Sequence, residues 1–224
     1  MQAIILAGGL GTRLRSVVSD RPKPMALVEG KPFLEYVLQG LKKSGIDDII
    51  FAVGYKGGMV EEYFGDGSRF GIRARYAYEE ELLGTAGAIK NAGKYVTDEQ
   101  FFVLNGDTFY QMDFGDLSRI QQEKNLEMAL VLRGVPDISR YGAARLTDGL
   151  LTAFNEKNGN TGAGTINGGV YLMKRALLDE IPDKPLAART LLLAERQIDE
   201  AAIFTIHGFC QRMLSLNAFE SGMP

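Results

Sequence analysis

A mixed, mostly parallel α/β sheet flanked by helices is the fold this sequence predicts, and three observations predict it. Apolar, β-rich runs alternate with helix-like stretches through the first half of the chain, which is the rhythm of βαβ units. Two conspicuous loops, Leu6-Ala7-Gly8-Gly9-Leu10-Gly11-Thr12-Arg13 and Leu104-Asn105-Gly106-Asp107, fall at the carboxyl ends of two such runs, where open α/β sheets hold their ligands. After residue 126 the alternation gives way to strand-like runs separated by turns, which predicts a partly antiparallel lobe over the site.

In chain order, AIIL at 3–6 reads as the first strand and PFLEYVLQGLKKSG at 32–45 as the first helix. DIIFAV at 48–53, IRARYAY at 72–78 and FFVL at 101–104 read as further strands, and the small residues at 83–87 open another helix. In the second half MALVLR at 128–133, YGAARL at 141–146, LLTAF at 150–154 and INGGVYLM at 166–173 complete the set of strands. No repeat, low-complexity tract or linker interrupts them.

A chain of 224 residues suits one main core. Lys and Arg total 25 against 28 for Asp and Glu, a net charge of -3 that offers no general attraction to nucleic acid or anionic lipid. Phosphate binding must therefore be local. Cys210 is the one cysteine, so no disulfide forms within the chain, and a reducing compartment suits it. The opening MQAIILAGG lacks a basic leader and a spanning apolar run. The expectation is a soluble, cytoplasmic protein without nucleic-acid or membrane partners, and a homo-oligomer is compatible with all of this.

The glycine-rich loop after the first strand lets backbone N–H groups come close to phosphate at Gly8, Gly9, Gly11 and Thr12. A Walker loop is excluded, because no Gly-Lys pair is followed by Ser or Thr; Gly30-Lys31 precedes Pro32. A dinucleotide fingerprint is spelled imperfectly, since Gly9-Leu10-Gly11-Thr12-Arg13-Leu14 ends in leucine. What remains is a long loop with Arg13 near its start and Lys23, fixed between Pro22 and Pro24, near its end.

Leu6-Ala7-Gly8-Gly9-Leu10-Gly11-Thr12-Arg13-Leu14 followed by Pro22-Lys23-Pro24-Met25 resembles the signature of the sugar-1-phosphate nucleotidyltransferases. The resemblance implies a Rossmann-like sheet of the nucleotide-diphospho-sugar transferase type. It implies that Leu6, Gly8, Gly9, Gly11 and Thr12 cradle the nucleotide, while Arg13 and Lys23 act catalytically by neutralising the triphosphate and the charge that develops at the α-phosphorus. Leu83-Gly84-Thr85-Ala86-Gly87 resembles the base-recognition loop, which brings in Gly84 and Thr85. Glu79 stands where related uridylyl and thymidylyl enzymes usually carry glutamine. A carboxylate accepts both N1–H and N2–H of guanine, so GTP is favoured over another NTP; as a bare sequence, Glu79 to Glu81 also reads as an acidic surface run.

Asp107 matches the family's Mg2+ ligand, with phosphate oxygens and water completing the octahedron, although a plain turn residue would look the same. Tyr141, Gly142, Glu156, Lys157 and Asn167 resemble the sugar-phosphate contacts; each alone would pass for an exposed polar position. Over residues 1–180 the chain resembles most the bacterial heptose-1-phosphate guanylyltransferases, with the mannose-1-phosphate enzymes close behind. The implied reaction is attack of a sugar 1-phosphate on the α-phosphorus of GTP, giving a GDP-sugar and pyrophosphate. Such products feed cell-surface polysaccharides, lipopolysaccharide among them. A non-catalytic relic that binds nucleotide or sugar phosphate is the alternative.

From 187 onward a different likeness takes over: LLLAERQIDEAAIFTIHGFCQRMLSLNAFESGM at 191–223 resembles an internal stretch of the β subunit of the bacterial RecBCD helicase-nuclease. The expectation is a chimera, a transferase domain over 1–180 and a foreign tail over 181–224 that is not an independent domain. Arg189, Arg196 and Arg212 face Glu195, Asp199, Glu200 and Glu220 in charge count, so no DNA footprint survives. Leu191, Ala194, Ile198, Ala202, Ile206, Phe209, Met213 and Leu216 recur at helical spacing, which predicts a helical tail, with AAIFTI open to a strand. The resemblance places a late acidic metal ligand in the ending that this tail replaces, which predicts reduced turnover.

Overall fold

The computed structural model describes residues 1–9, 20–81, 83–139, 141, 143–147, 150–155, 161–182 and 219–221, the last three by backbone alone. The first half builds the sheet from strands β1 (Gln2–Leu6), β4 (Asp48–Val53), β5 (Arg73–Tyr78) and β6 (Gln100–Asn105), interleaved with helices α1 (Phe33–Lys43), α2 (Gly58–Phe64) and α3 (Gly84–Gly93). Between β1 and α1 a short hairpin intervenes, β2 (Leu27–Val28) with β3 (Lys31–Pro32). The second half adds α4 (Phe114–Glu123), β7 (Met128–Val135), β8 (Ala143–Thr147), β9 (Leu150–Asn155), β10 (Gly164–Lys174), the single turn α5 (Leu177–Glu180) and β11 (Phe219–Ser221).

All but the hairpin join one sheet, in the order β5-β4-β1-β6-β10-β7-β11-β9-β8. The β5-β4-β1-β6 half is parallel, whereas β10 runs antiparallel to both β6 and β7. The chain moves outward from β1 through β4 to β5, then crosses back to place β6 on the other side of β1. That reversal makes the carboxyl ends of β1 and β6 a topological switch point, the place where α/β sheets bind ligands. The antiparallel strands continue the same sheet instead of forming a separate lobe.

Alternation along β1 divides the core in two. Ala3 and Ile5 face α1, α2 and α4 with Leu34, Leu38, Leu41, Phe64 and Leu117, while Ile4 faces α3 and α5 with Ile89, Ala92 and Leu177. The apolar face of α1 buries Leu34, Val37, Leu38 and Leu41, and each such side chain contributes about 1.5–3 kcal/mol of transfer free energy. Glu35 in its first turn and Lys42 and Lys43 in its last suit the helix dipole. The helix stops before Gly45, whose φ of 73° a side chain resists; Gly45 N–H donates to Lys42 O at 3.0 Å and Ile46 N–H to Leu41 O at 3.1 Å.

The expected strands at 48–53, 72–78, 101–104, 128–133, 150–154 and 166–173 fold within a residue or two of their predicted limits. The helical tail needs a correction where it is described. Phe219–Ser221 is a strand, parallel to β7 and antiparallel to β9, because two strand edges meet there and extended backbone satisfies both. The rest of the tail, including 183–218, lies outside the described residues. Among the described residues no helix is long and apolar enough to cross a membrane.

Candidate active site

The carboxyl ends of β1, β4 and β6 are drawn together by backbone hydrogen bonds. Ala7 N–H donates to Ala52 O at 2.8 Å, Gly106 N–H donates to Leu6 O at 2.9 Å, and Glu79 N–H donates to Val53 O at 2.9 Å. Gly8 is buried and Gly9 exposed, so the loop leaves the sheet at this point. Gly8 and Gly54 touch: a Cβ on Gly54 would lie 2.8 Å from Gly8 O, and one on Gly8 would lie 2.9 Å from Glu79 Oε1. The Gly8 and Gly54 backbones are thus in close contact, with the Glu79 carboxylate packed against Gly8.

Glu79 also reaches the second small-residue loop. Its Oε2 accepts from Leu83 N–H at 3.3 Å, immediately before Gly84 and Thr85 open α3. Burial pushes the Glu79 carboxyl above its ordinary range, and the Leu83 hydrogen bond opposes that shift. The expected nucleotide residues Gly8, Glu79 and Gly84 are therefore brought together, with Thr85 half-buried in the first turn of the helix.

Lys23 rides on a short 3-10 helix, Lys23–Met25, anchored by buried Pro22, Pro24 and Met25. Its ammonium forms a salt bridge with the Asp107 carboxylate, 84 residues further along the chain. Gly106 makes this meeting possible, since a Cβ there would lie 2.7 Å from Leu6 O and 3.2 Å from Pro24 Cγ. Sequence reasoning placed Lys23 on phosphate and Asp107 on metal but missed their pairing, which no local signal announces. Among the described residues no group of three or more His, Cys, Asp or Glu side chains gathers to hold a metal. The half-exposed Asp107 carboxylate nevertheless fits Mg2+, which commonly takes one or two carboxylates and fills its remaining positions with phosphate oxygens and water.

Asn167 sits where β10 departs from regular pairing. Asn167 lies opposite Leu132 and Tyr171 opposite Leu130, so Gly168 and Gly169 are accommodated in a bulge. Gly169 has φ 76°, and the Asn105 side chain occupies the space where its Cβ would be. Tyr141 is exposed just before β8, its N–H donating to Ile138 O at 2.8 Å. Gly11, Thr12, Arg13, Gly142, Glu156 and Lys157 lie outside the described residues.

A glycine turn at a topological switch point, a cation and a carboxylate joined at the adjacent strand end, and a half-buried carboxylate beside a small-residue helix start are features suited to a nucleotide-handling α/β protein. The chain belongs to the nucleotidyl transferase family, which it matches over residues 2–196. That match extends past 187, the position from which a foreign tail was expected. The chain is 44% identical over 179 residues to the D-glycero-alpha-D-manno-heptose 1-phosphate guanylyltransferase of Aneurinibacillus thermoaerophilus, covering 80% of this chain and 77% of that one. Identity to the enzyme of the same description from Campylobacter jejuni is 45% over 181 residues, covering 80% and 79%. Among solved structures, HddC from Yersinia pseudotuberculosis complexed with GMP-PN superposes with a TM-score of 0.71 at 36% identity, over 81% of this chain and 80% of that one.

Proposed function

We propose that the protein transfers GMP from GTP to a heptose or mannose 1-phosphate, releasing pyrophosphate and a GDP-sugar in the cytoplasm for cell-surface polysaccharide synthesis. The convergence of the Gly8 loop, Glu79 and the Lys23–Asp107 pair on one strand-end crevice carries this reading. It agrees with the guanylyltransferase descriptions of the two relatives and with the guanine nucleotide analogue in the neighbouring structure.

In this mechanism the Gly8 turn lets the nucleotide approach the backbone, and Glu79 accepts both guanine N–H groups. Lys23, and Arg13 by resemblance, neutralise the phosphates, so the sugar-phosphate oxygen meets an α-phosphorus whose growing charge is already countered. Asp107 would hold Mg2+, which supplies charge neutralisation of the phosphate oxygens when bound. Asn167, and by resemblance Glu156 and Lys157, hold the sugar phosphate in line for direct displacement, with no covalent enzyme intermediate. Incubation with GTP and each sugar 1-phosphate, with product masses recorded, tests the reading. A GDP-sugar is expected. GTP recovered intact but bound would favour the relic.

We propose further that residues from about 187 onward are a foreign, helicase-like ending that replaces the one that would carry a further metal ligand. Grafting a family-type ending onto residue 186 is expected to raise turnover by about 10²-fold or more, the scale of a lost electrostatic contact. No gain would sink the missing-ligand explanation.

A further inference from the structure

We propose that the Lys23–Asp107 pair is an internal latch, in which each group is the other's counter-ion, so that a divalent cation and a polyphosphate bind well only together. The inference rests on the proposed transferase activity, which sets Lys23 against phosphate and Asp107 against Mg2+. It concerns what the pair itself does to the binding of both.

The fold holds the two partners from behind. Lys23 opens the 3-10 helix Lys23–Met25, where Pro24 and Met25 are buried, and Pro22 before it is buried as well. Asp107 follows β6 in a turn that is closed by two backbone hydrogen bonds, Gly106 N–H donating to Leu6 O at 2.9 Å and Thr108 N–H to Asn105 O at 3.2 Å. The two segments pack together at Gly106, where a Cβ would lie 3.2 Å from Pro24 Cγ. With both backbones anchored, the ammonium meets the carboxylate directly. The other carboxylate oxygen, Oδ1, has only a long contact from Thr108 Oγ1, at 3.4 Å.

The two side chains are 38% and 36% exposed, which leaves both within reach of a ligand and sets the strength of the latch. An ion pair this exposed shifts an equilibrium by about fivefold at most. A cation that takes Asp107 alone has to displace the ammonium and leaves Lys23 without its counter-ion. A polyphosphate that takes Lys23 alone leaves the carboxylate facing added negative charge. When both bind, a single opening of the pair serves both, and each freed group meets an opposite charge. That saving is a coupling free energy, and linkage requires it to act equally on the two affinities. Direct contact between cation and phosphate couples them too; the latch is the part of the coupling that disappears when either member of the pair is neutralised.

The test reads binding of each ligand alone, in the full chain and without turnover. Mn2+, which shares the oxygen ligands of Mg2+, is titrated against its paramagnetic resonance signal, and Mn2+ still bound by Asp107→Asn is subtracted as binding elsewhere. Lys23→Met is expected to tighten Mn2+ binding about three- to fivefold. Arg21→Met, which removes a nearby cation paired with Asp20, is expected to leave it unchanged. In the mirror experiment, pyrophosphate is titrated by calorimetry in the presence of a chelator, and Asp107→Asn is expected to tighten its binding by the same factor. An unchanged Mn2+ affinity in Lys23→Met, or an equal gain in Arg21→Met, would overturn the latch. Should Lys23→Met fail to fold, the pyrophosphate titration decides, and no gain in Asp107→Asn overturns it. A wild type that releases no pyrophosphate from GTP with any sugar 1-phosphate overturns the proposed function instead, because neither titration depends on chemistry.

Discussion

The two halves of the sheet hold their ligand-facing residues by different means. On the parallel side backbone meets backbone: Ala7 bonds to Ala52, Gly106 to Leu6, and Gly54 touches Gly8 with no room for a Cβ between them. On the antiparallel side the work falls to side chains: Asn167 is tied to Tyr171, Asn105 fills the space beside Gly169, and Tyr110 lies against Gly168. Positions set by backbone are sensitive to added atoms, whereas positions set by side chains are sensitive to removed ones. Asp107 stands at the seam, on the last parallel strand end and beside the bulge-bracing Asn105.

The largest effect is expected at that seam. Asp107→Ala should lower turnover by about 10²–10³-fold, the range for removing a group that stabilises transition-state charge, with the fold retained in circular dichroism. A retained rate would break the comparison, because it would leave the seam without a chemical role. Next comes the backbone side. Gly54→Ala places a Cβ 2.8 Å from Gly8 O, and backbone cannot yield as a flexible side chain does; a stability loss of about 2 kcal/mol in urea denaturation is expected, with weaker GTP binding.

Glu79 sharpens the contrast within the nucleotide half, since its side chain packs against the Gly8 backbone. Glu79→Gln should weaken GTP binding about tenfold in calorimetry and narrow its advantage over UTP. The pH dependence has a definite sign. Burial raises the folded carboxyl, so its contribution to stability is present below the ordinary carboxylate range and lost as pH rises through the raised value. GTP binding runs the other way: it needs the ionised form to accept two guanine N–H groups, so affinity should fall as pH drops through that raised range. Glu79→Gln should abolish this pH dependence. The smallest effect is expected on the side-chain side at Tyr110, whose phenol burial raises and Arg133 lowers. Tyr110→Phe should cost about 1 kcal/mol of stability in the same urea assay and leave GTP binding unchanged.

Legibility in the sequence follows the same division. The parallel strands could be read because each is a compact β-rich run, and DIIFAV at 48–53 coincides with β4. The residues at their ends could be read as motifs, because a backbone cradle demands glycine and a strand-end carboxylate has a fixed place. The Lys23–Asp107 pair was illegible, being a contact over 84 residues set by how two loops close. INGGVYLM was read as an uninterrupted strand, although adjacent glycines inside a strand pattern are a bulge signal. With the bulge unread, the Asn167–Tyr171 tie went unseen. The tail illustrates a further limit: its helical spacing runs over 191–216, outside the described residues, and beyond it Phe219–Ser221 pairs with open strand edges that no local pattern announced.

The most direct test of a working transferase is pyrophosphate release from GTP and Mg2+ with heptose 1-phosphate and with mannose 1-phosphate, using Asp107→Ala as the control. Release that requires the sugar phosphate and disappears in the variant is the predicted result. No release from the wild type with either acceptor, while GTP remains bound, would contradict it.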